Sequence, residues 1–238
     1  MLTARLERLG LEPGQRLLDL GCGEGRHVHG AHCLDNIDVI GLDMDELSLA
    51  KARAGLESLP SSAGATGFIK GDAYQLPFED ASFDVVVCSE VLEHLHDYPA
   101  VLSQIARVLK PGGRFVASVP RAWPERICWS LAPGPGGYAD QPGGHVRIFQ
   151  EAALRRAVVA AGFGYRARHH AHALHAPFWW LKTAFWARRD DHPLVKLYHR
   201  FLVWDLMERP WLTRGLERLL DPLLGKSVAL YFERTATP

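Results

Sequence analysis

Two rhythms of apolar positions alternate through the first half of the 238-residue chain. Short strand-like apolar runs occupy Gln15–Gly21 ("QRLLDLG"), Asp38–Asp43 ("DVIGLD"), Thr66–Asp72 ("TGFIKGD"), Phe83–Glu90 ("FDVVVCSE") and Arg114–Pro120 ("RFVASVP"). Between them apolar residues recur every three or four positions, the period of a helix packed on one face. That spacing predicts helices from about Arg26, over Asp45–Leu59 and over Pro99–Leu109, the last stopping at Lys110-Pro111-Gly112-Gly113. A short helix over residues 2–9 is expected to stop at Gly10. The fourth strand is apolar without interruption, which suits a strand covered on both faces. Regular alternation of strand and helix implies right-handed crossovers and a parallel sheet between helical layers.

The second half is less regular. Residues 121–146 are rich in Pro, Gly and Trp and are expected to form a long loop, a feature usually tied to function. A helix over Gln150–Ala161 ends at Gly162, and strands are predicted at Tyr165–Ala173 and Ser227–Arg234. Residues 175–226, between those strands, have a helical pattern and many tryptophans.

Charge divides the same way. Residues 1–120 carry 10 Lys or Arg against 17 Asp or Glu, and the remainder reverses that balance, so the chain is neutral overall. Neutrality argues against a general attraction to nucleic acid. All seven tryptophans lie after residue 120. Cys22, Cys33, Cys88 and Cys128 have no CxxC spacing, which fits a reducing cytoplasm and neither a disulfide framework nor a zinc knuckle. No signal peptide or membrane-spanning run is expected.

The first strand runs into "LLDLGCGEGRH" (Leu17–His27), with Gly21, Gly23 and Gly25 at alternate positions. A glycine-rich turn between a strand and a helix of such a sheet is a ligand site at the carboxyl edge. A dinucleotide fingerprint needs G-x-G-x-x-G, whereas here the spacing is G-x-G-x-G and Arg26 stands at the third dinucleotide position. Asp43 ends the second strand, where a carboxylate can accept both hydroxyls of a ribose. Asp72 ends the third, where one can accept an exocyclic amine. These positions point to a nucleoside-like ligand with no required phosphate. Asp45 reads as the cap of the following helix.

At this point the chain resembles the class I S-adenosylmethionine-dependent methyltransferases of the small-molecule group. The segments that carry the resemblance are "LLDLGCGEG", "VIGLDMD", "GDAYQLPFEDASFDVVVCSEVLEH", "VLKPGGRFVASVP" and "HVRIFQEAALRRAVVAAGF", in family order. The resemblance implies S-adenosylmethionine as cofactor. Asp19, Gly21 and Gly23 would hold its methionyl part, Asp43 its ribose, Met44 would flank the adenine, and Asp72 and Ala73 would hold the base. The chain near Cys88 and Ser89 would line the methyl end. It further implies an α/β, doubly wound, Rossmann-like sheet of seven strands, mostly parallel with an antiparallel last strand. Residues 1–238 then make a single domain, with the helical segment 175–226 inserted before that strand.

On the acceptor side, methyl transfer needs the acceptor held close to the methyl carbon, and a hydroxyl acceptor needs a base. Glu90, Glu93 and His94 in "SEVLEHLHD" would share one face of a helical turn, with His94 as general base and Glu90 beside it. The segment is similar to one in ubiquinone-biosynthesis O-methyltransferases, where such a set is associated with a divalent metal. An acid-rich helix start with a packed histidine accounts for the same letters, and no metal is expected. His145 is a second residue that can face the acceptor. His169, His170, His172 and His175 read as a solvated strand, because no acid or cysteine joins them at ligand spacing. Segment 175–226 reads as an aromatic lid over the acceptor, as core packing, or as a peripheral membrane contact using Lys182, Arg188 and Arg189. The expected activity is O-methylation of a small hydrophobic, aromatic or glycoconjugate acceptor. N- or C-methylation, a non-catalytic cofactor-binding protein of the same fold, and a nicotinamide-dependent oxidoreductase are the alternatives.

Overall fold

A computed structural model describes residues 2–141 and 143–235. Among these residues seven strands form one sheet: β1 (Arg16–Leu20), β2 (Asp38–Asp43), β3 (Thr66–Lys70), β4 (Phe83–Ser89), β5 (Leu109–Pro120), β6 (Phe163–Ala171) and β7 (Ser227–Arg234). Their order is β3-β2-β1-β4-β5-β7-β6. The pairs β2–β3, β1–β2, β1–β4 and β4–β5 are parallel. The guanidinium of Arg234 donates to the Leu109 carbonyl, and the Thr235 N–H donates to the Gly162 carbonyl at 3.0 Å. The end of β7 therefore lies beside the starts of β5 and β6, and β7 runs antiparallel to both. This is the doubly wound sheet with a reversed last strand that the family resemblance implies.

Four helices cross between the strands of the sheet: α1 (Arg26–His32), α2 (Glu46–Glu57), α3 (Tyr98–Val108) and α5 (Glu151–Ala160). The other four are α4 (Ala122–Leu131), α6 (His175–Ala184), α7 (Pro193–Glu208) and α8 (Trp211–Leu224). As expected, Asp45 caps α2, its carboxylate accepting from the N–H groups of Leu47 and Ser48. In the centre of the sheet Leu17, Leu18, Val85, Val86 and Val87 are wholly buried, so β1 and β4 are covered on both faces. Each such side chain contributes about 1.5–3 kcal/mol by leaving water. β1 lies between β2 and β4, so strand order reverses beside it and ligands are expected at its carboxyl end.

The structure departs from the sequence reading in several places. Residues 122–131, expected to be loop, form α4, and the irregular stretch begins at residue 132. Pro124 sits in the first turn of α4, where a missing N–H costs no intrahelical bond. The N-terminal segment is a 3₁₀ turn at Leu6–Leu9, closed by Gly10 at φ 52°. β3 ends at Lys70, two residues before Asp72.

The chain divides into two compact units. The first comprises the chain through Ser118, Ala152–Arg168 and the chain from Ala229, and holds most of the sheet. The second comprises Val119–Glu151 and His169–Val228. It has its own core, in which Leu174, Phe178, Val195 and Leu202 are buried. There α6 packs on α4 and α7.

Candidate active site

In the first unit, β1 and β2 bring two acids to the carboxyl edge of the sheet. Asp19 pairs across to Gly41 on β2 and Val87 on β4, which places it inside the sheet. It is 1% exposed, and one carboxylate oxygen, Oδ2, has no hydrogen-bond partner among the described residues. Burial raises its pKa to about 7, opposed by the charge of Arg26, reinforced by Asp43 and opposed again by the Val28 N–H. A buried acid with an unsatisfied oxygen costs free energy until a donor or cation meets it. The amino group of a methionyl moiety is such a cation, so this residue fits the cofactor implied by the sequence.

Asp43 ends β2. Its Oδ2 accepts the Gly23 N–H at 2.7 Å and its Oδ1 accepts the Asp45 N–H at 2.9 Å. Each oxygen keeps a second lone pair, enough to accept two ribose hydroxyls. The same contacts tie the glycine turn to β2. The glycines differ in purpose. A Cβ at Gly21, where φ is 70°, would stand 2.3 Å from Val91 Cγ2, so Gly21 is bare because a side chain of its own protein fills the space. At Gly23, φ is 52° and a Cβ would meet nothing within 4 Å. Only the second suits close passage of a ligand.

Met44 is 66% exposed beside Asp43, an apolar side chain left in water where a base would cover it. Asp72 is exposed and folded into a small turn: its Oδ1 accepts the Tyr74 N–H at 2.9 Å, and a bridge links it to Gln75. Ala73 is buried. Cys88 is wholly buried in β4, where burial pushes its thiol well up.

The residues after β4 also depart from expectation. Glu90, Glu93 and His94 do not share a helical face. Glu90 has φ 59°, and only Leu92–His94 form a short 3₁₀ turn. Glu90 Oε1 accepts the Ser118 hydroxyl at 3.0 Å, and that hydroxyl also bonds Ser89 at 2.8 Å. Glu93 is buried, whereas His94 is half-buried. The Glu90 N–H is bonded to the Ser118 carbonyl at 2.9 Å, so the backbone stays with β5 one residue longer than a helix start allows.

The second unit contains a cavity of about 210 Å³ lined by Tyr138, His145, Trp179, Lys182, Trp186 and Arg189, among others. Lys182 lies over the Trp179 ring at 5.6 Å and Arg189 over the Trp186 ring at 4.2 Å. Tyr138 packs edge-on against His145, Trp179 and Trp186. His145 is gripped from behind: its Nδ1 lies 2.5 Å from Oε1 of Glu125, a carboxylate 2% exposed. The same oxygen accepts the Trp129 indole N–H at 3.1 Å. Burial would raise the Glu125 pKa, but the hydrogen bond and charge of His145, with Lys226 and Trp129, outweigh it and hold the carboxyl below its usual range. A carboxylate on Nδ1 fixes the imidazole orientation and leaves Nε2 for a proton. Sequence reasoning missed Glu125 because its partner is 20 residues away and the segment between reads as loop.

The tryptophans of "FWWL" have separate tasks. Trp179 lines the cavity, while the Trp180 indole donates to the Pro124 carbonyl at 3.1 Å and packs on Trp123. Trp179 also packs against the core of this unit, so both Trp179→Ala and Trp180→Ala are expected to lower stability, by about 2–4 kcal/mol in urea unfolding, but only Trp179→Ala to alter acceptor kinetics in the folded protein. Unchanged acceptor kinetics in folded Trp179→Ala would remove Trp179 from the binding wall.

The histidine cluster is also corrected. Glu217 of α8 comes in from far along the chain, and its carboxylate and the rings of His172 and His175 place ligand-type atoms within 4.8 Å of one another. The acid absent from the local spacing is supplied by the tertiary fold.

Residues 18–117 match the family model described as a methyltransferase domain, which ends just before the second unit begins. An O-methyltransferase of Pyrenophora dematioidea is 38% identical over 109 residues, 46% of this chain and 40% of that protein. A sterol 24-C-methyltransferase of Gibberella zeae is 36% identical over 107 residues, 45% of this chain and 28% of that protein. An S-adenosylmethionine-dependent methyltransferase structure from Mesorhizobium loti is similar with a TM-score of 0.58 and 23% identity, covering 95% of each chain. At that identity the likeness speaks for the fold alone. The chain spans about half or less of the length of the curated relatives it matches.

Proposed function

We infer, from the match of residues 18–117 to a methyltransferase domain, that this chain is an S-adenosylmethionine-dependent methyltransferase that methylates a hydroxyl of a small hydrophobic or aromatic acceptor. The observation that carries the cofactor half is the pair of strand-end acids: Asp19 buried with an unmatched oxygen, and Asp43 tied to the Gly23 N–H. When bound, S-adenosylmethionine supplies an electrophilic methyl carbon on a sulfonium. Asp19 holds the amino group, Asp43 accepts from the ribose hydroxyls, Met44 covers the adenine, and Asp72 with the Ala73 backbone holds its edge.

The acceptor half rests on the Glu125–His145 pair in its aromatic cavity. Aromatic walls favour an apolar or planar acceptor, and Lys182 and Arg189 favour partial negative charge on it. His145 Nε2 takes the hydroxyl proton while Glu125 stabilises the imidazolium. His94 is the alternative base, with Glu90 beside it at the end of β4. C-methylation is the second reading, favoured by the likeness to the sterol enzyme.

Calorimetry with S-adenosylhomocysteine tests the cofactor site. Asp43→Ala is expected to weaken binding by about 1.5–3 kcal/mol, roughly 10- to 150-fold. Unchanged affinity in the folded variant, or a thermal shift with NAD and none with S-adenosylhomocysteine, would overturn this reading. Mass spectrometry of the product separates O- from C-methylation, since only an O-methyl ether removes the exchangeable hydroxyl proton.

A further inference from the structure

Helix α8 presents its polar residues inward and its apolar residues outward. Thr213, Glu217 and Asp221, at i, i+4 and i+8, are all buried. Asp221 accepts the Ala173 N–H at 3.0 Å, which holds that face in place. On the outside, Leu212, Leu216, Leu219 and Leu223 fall at i, i+4, i+7 and i+11, a single stripe. Leu219 and Leu223 are 72% and 68% exposed, and Trp211 at the helix start is 84% exposed. α7 adds Leu197 and Trp204, one above the other at i and i+7, and Met207, all exposed. A lone exposed leucine needs no explanation, but a stripe of four along α8, with further exposed apolar residues on α7, does.

Charge identifies what covers it. Lys196 is paired with Asp191 at 2.9 Å, which leaves Arg200, Arg209 and Arg218 as the exposed cations over residues 193–224, against Glu208. The remaining acids, Asp205, Glu217 and Asp221, are buried. A second copy of this face would bring cations against cations. An anionic lipid surface matches both components: leucine and tryptophan enter the boundary between headgroups and acyl chains, and arginines meet phosphates. No helix among the described residues is long and apolar enough to cross a membrane.

We propose that α7 and α8 dock this protein on anionic lipid bilayers. Both helices lie within the segment 175–226 for which the sequence alone suggests a membrane contact, but the cations beside them are Arg200, Arg209 and Arg218 rather than Lys182, Arg188 and Arg189. The proposal stands apart from methyl transfer, since it requires neither cofactor nor turnover.

Co-sedimentation of the full chain with vesicles is the test. Phosphatidylcholine vesicles containing about 30% phosphatidylglycerol should bind it, and added salt should weaken binding. Leu219→Glu with Leu223→Glu should reduce binding about tenfold or more. Because both leucines are exposed, the melting temperature and S-adenosylhomocysteine affinity should be unchanged, so failure here is distinguishable from failure of the cofactor site. Arg218→Glu should weaken binding to anionic vesicles more than to pure phosphatidylcholine. Absence of vesicle binding, or undiminished binding by the leucine variant, overturns the proposal. A dimer seen by light scattering that the leucine variant dissociates, with no vesicle binding, would assign the face to a second copy.

Discussion

Replacing His145 with alanine is expected to lower methyl-transfer turnover about 10²–10⁴-fold while leaving S-adenosylhomocysteine affinity unchanged. The size follows from the loss of a general base. The unchanged affinity is expected because the proposed cofactor acids are Asp19 and Asp43 at the sheet edge. Glu125→Gln keeps a hydrogen-bonding partner near Nδ1 but removes the charge that stabilises the imidazolium. It should reduce turnover by roughly tenfold or more, without matching the alanine variant. Steady-state kinetics on a hydroxyl acceptor, alongside His94→Ala, decides between the two bases. Full activity of His145→Ala with a severe loss in His94→Ala would move the base to the turn after β4.

The second large effect concerns stability and pH. With its pKa raised from 3.8 to about 7 in the folded chain, Asp19 holds a proton in the native state that it loses on unfolding. Below about pH 4 it is neutral in both states and costs nothing. As pH rises from there to 7 the unfolded chain gives up the proton first, so the native state loses relative stability, and above 7 the full cost is present. Three units correspond to about 4 kcal/mol. Asp19→Asn should therefore match the natural chain near pH 4 and exceed it by up to about 4 kcal/mol at pH 8 in urea unfolding without ligand. The same variant should bind S-adenosylhomocysteine more weakly.

His27 works against this trend. Burial lowers its pKa to about 3, and its Nε2 accepts the Ala4 N–H at 3.1 Å. Its contribution is lost as pH falls from 6.5 towards 3. The comparison between natural chain and variant cancels it, because both contain His27. Equal stability of the two proteins at pH 8 would show that Asp19 is not the strained acid described here.

Short apolar runs and period-three-to-four patterns located β1 to β5 and their helices to within about five residues, because each element must bury its own apolar surface and so writes it into its local sequence. The turn after β1 and the acid ending β2 were legible for the same reason: both are contiguous with a strand whose end is marked. α4 was not legible, since proline and glycine counts over 121–146 masked a ten-residue helix whose proline sits in the one turn that tolerates it. The purpose of Gly21 was also hidden, because Val91, which fills the space, lies 70 residues on.

What the sequence by itself determined is the layered α/β fold, the G-x-G-x-G turn and the acids at the edge of the sheet, all consequences of neighbours along the chain. What only the tertiary structure decided is the pairing of Glu125 with His145, the meeting of Glu217 with His172 and His175, and the side of α8 that faces water. Amphipathic periodicity states that a helix has two unlike faces. Which face is buried depends on what the rest of the chain offers it, and here an N–H at Ala173 fixes the polar side inward and leaves the leucines outside.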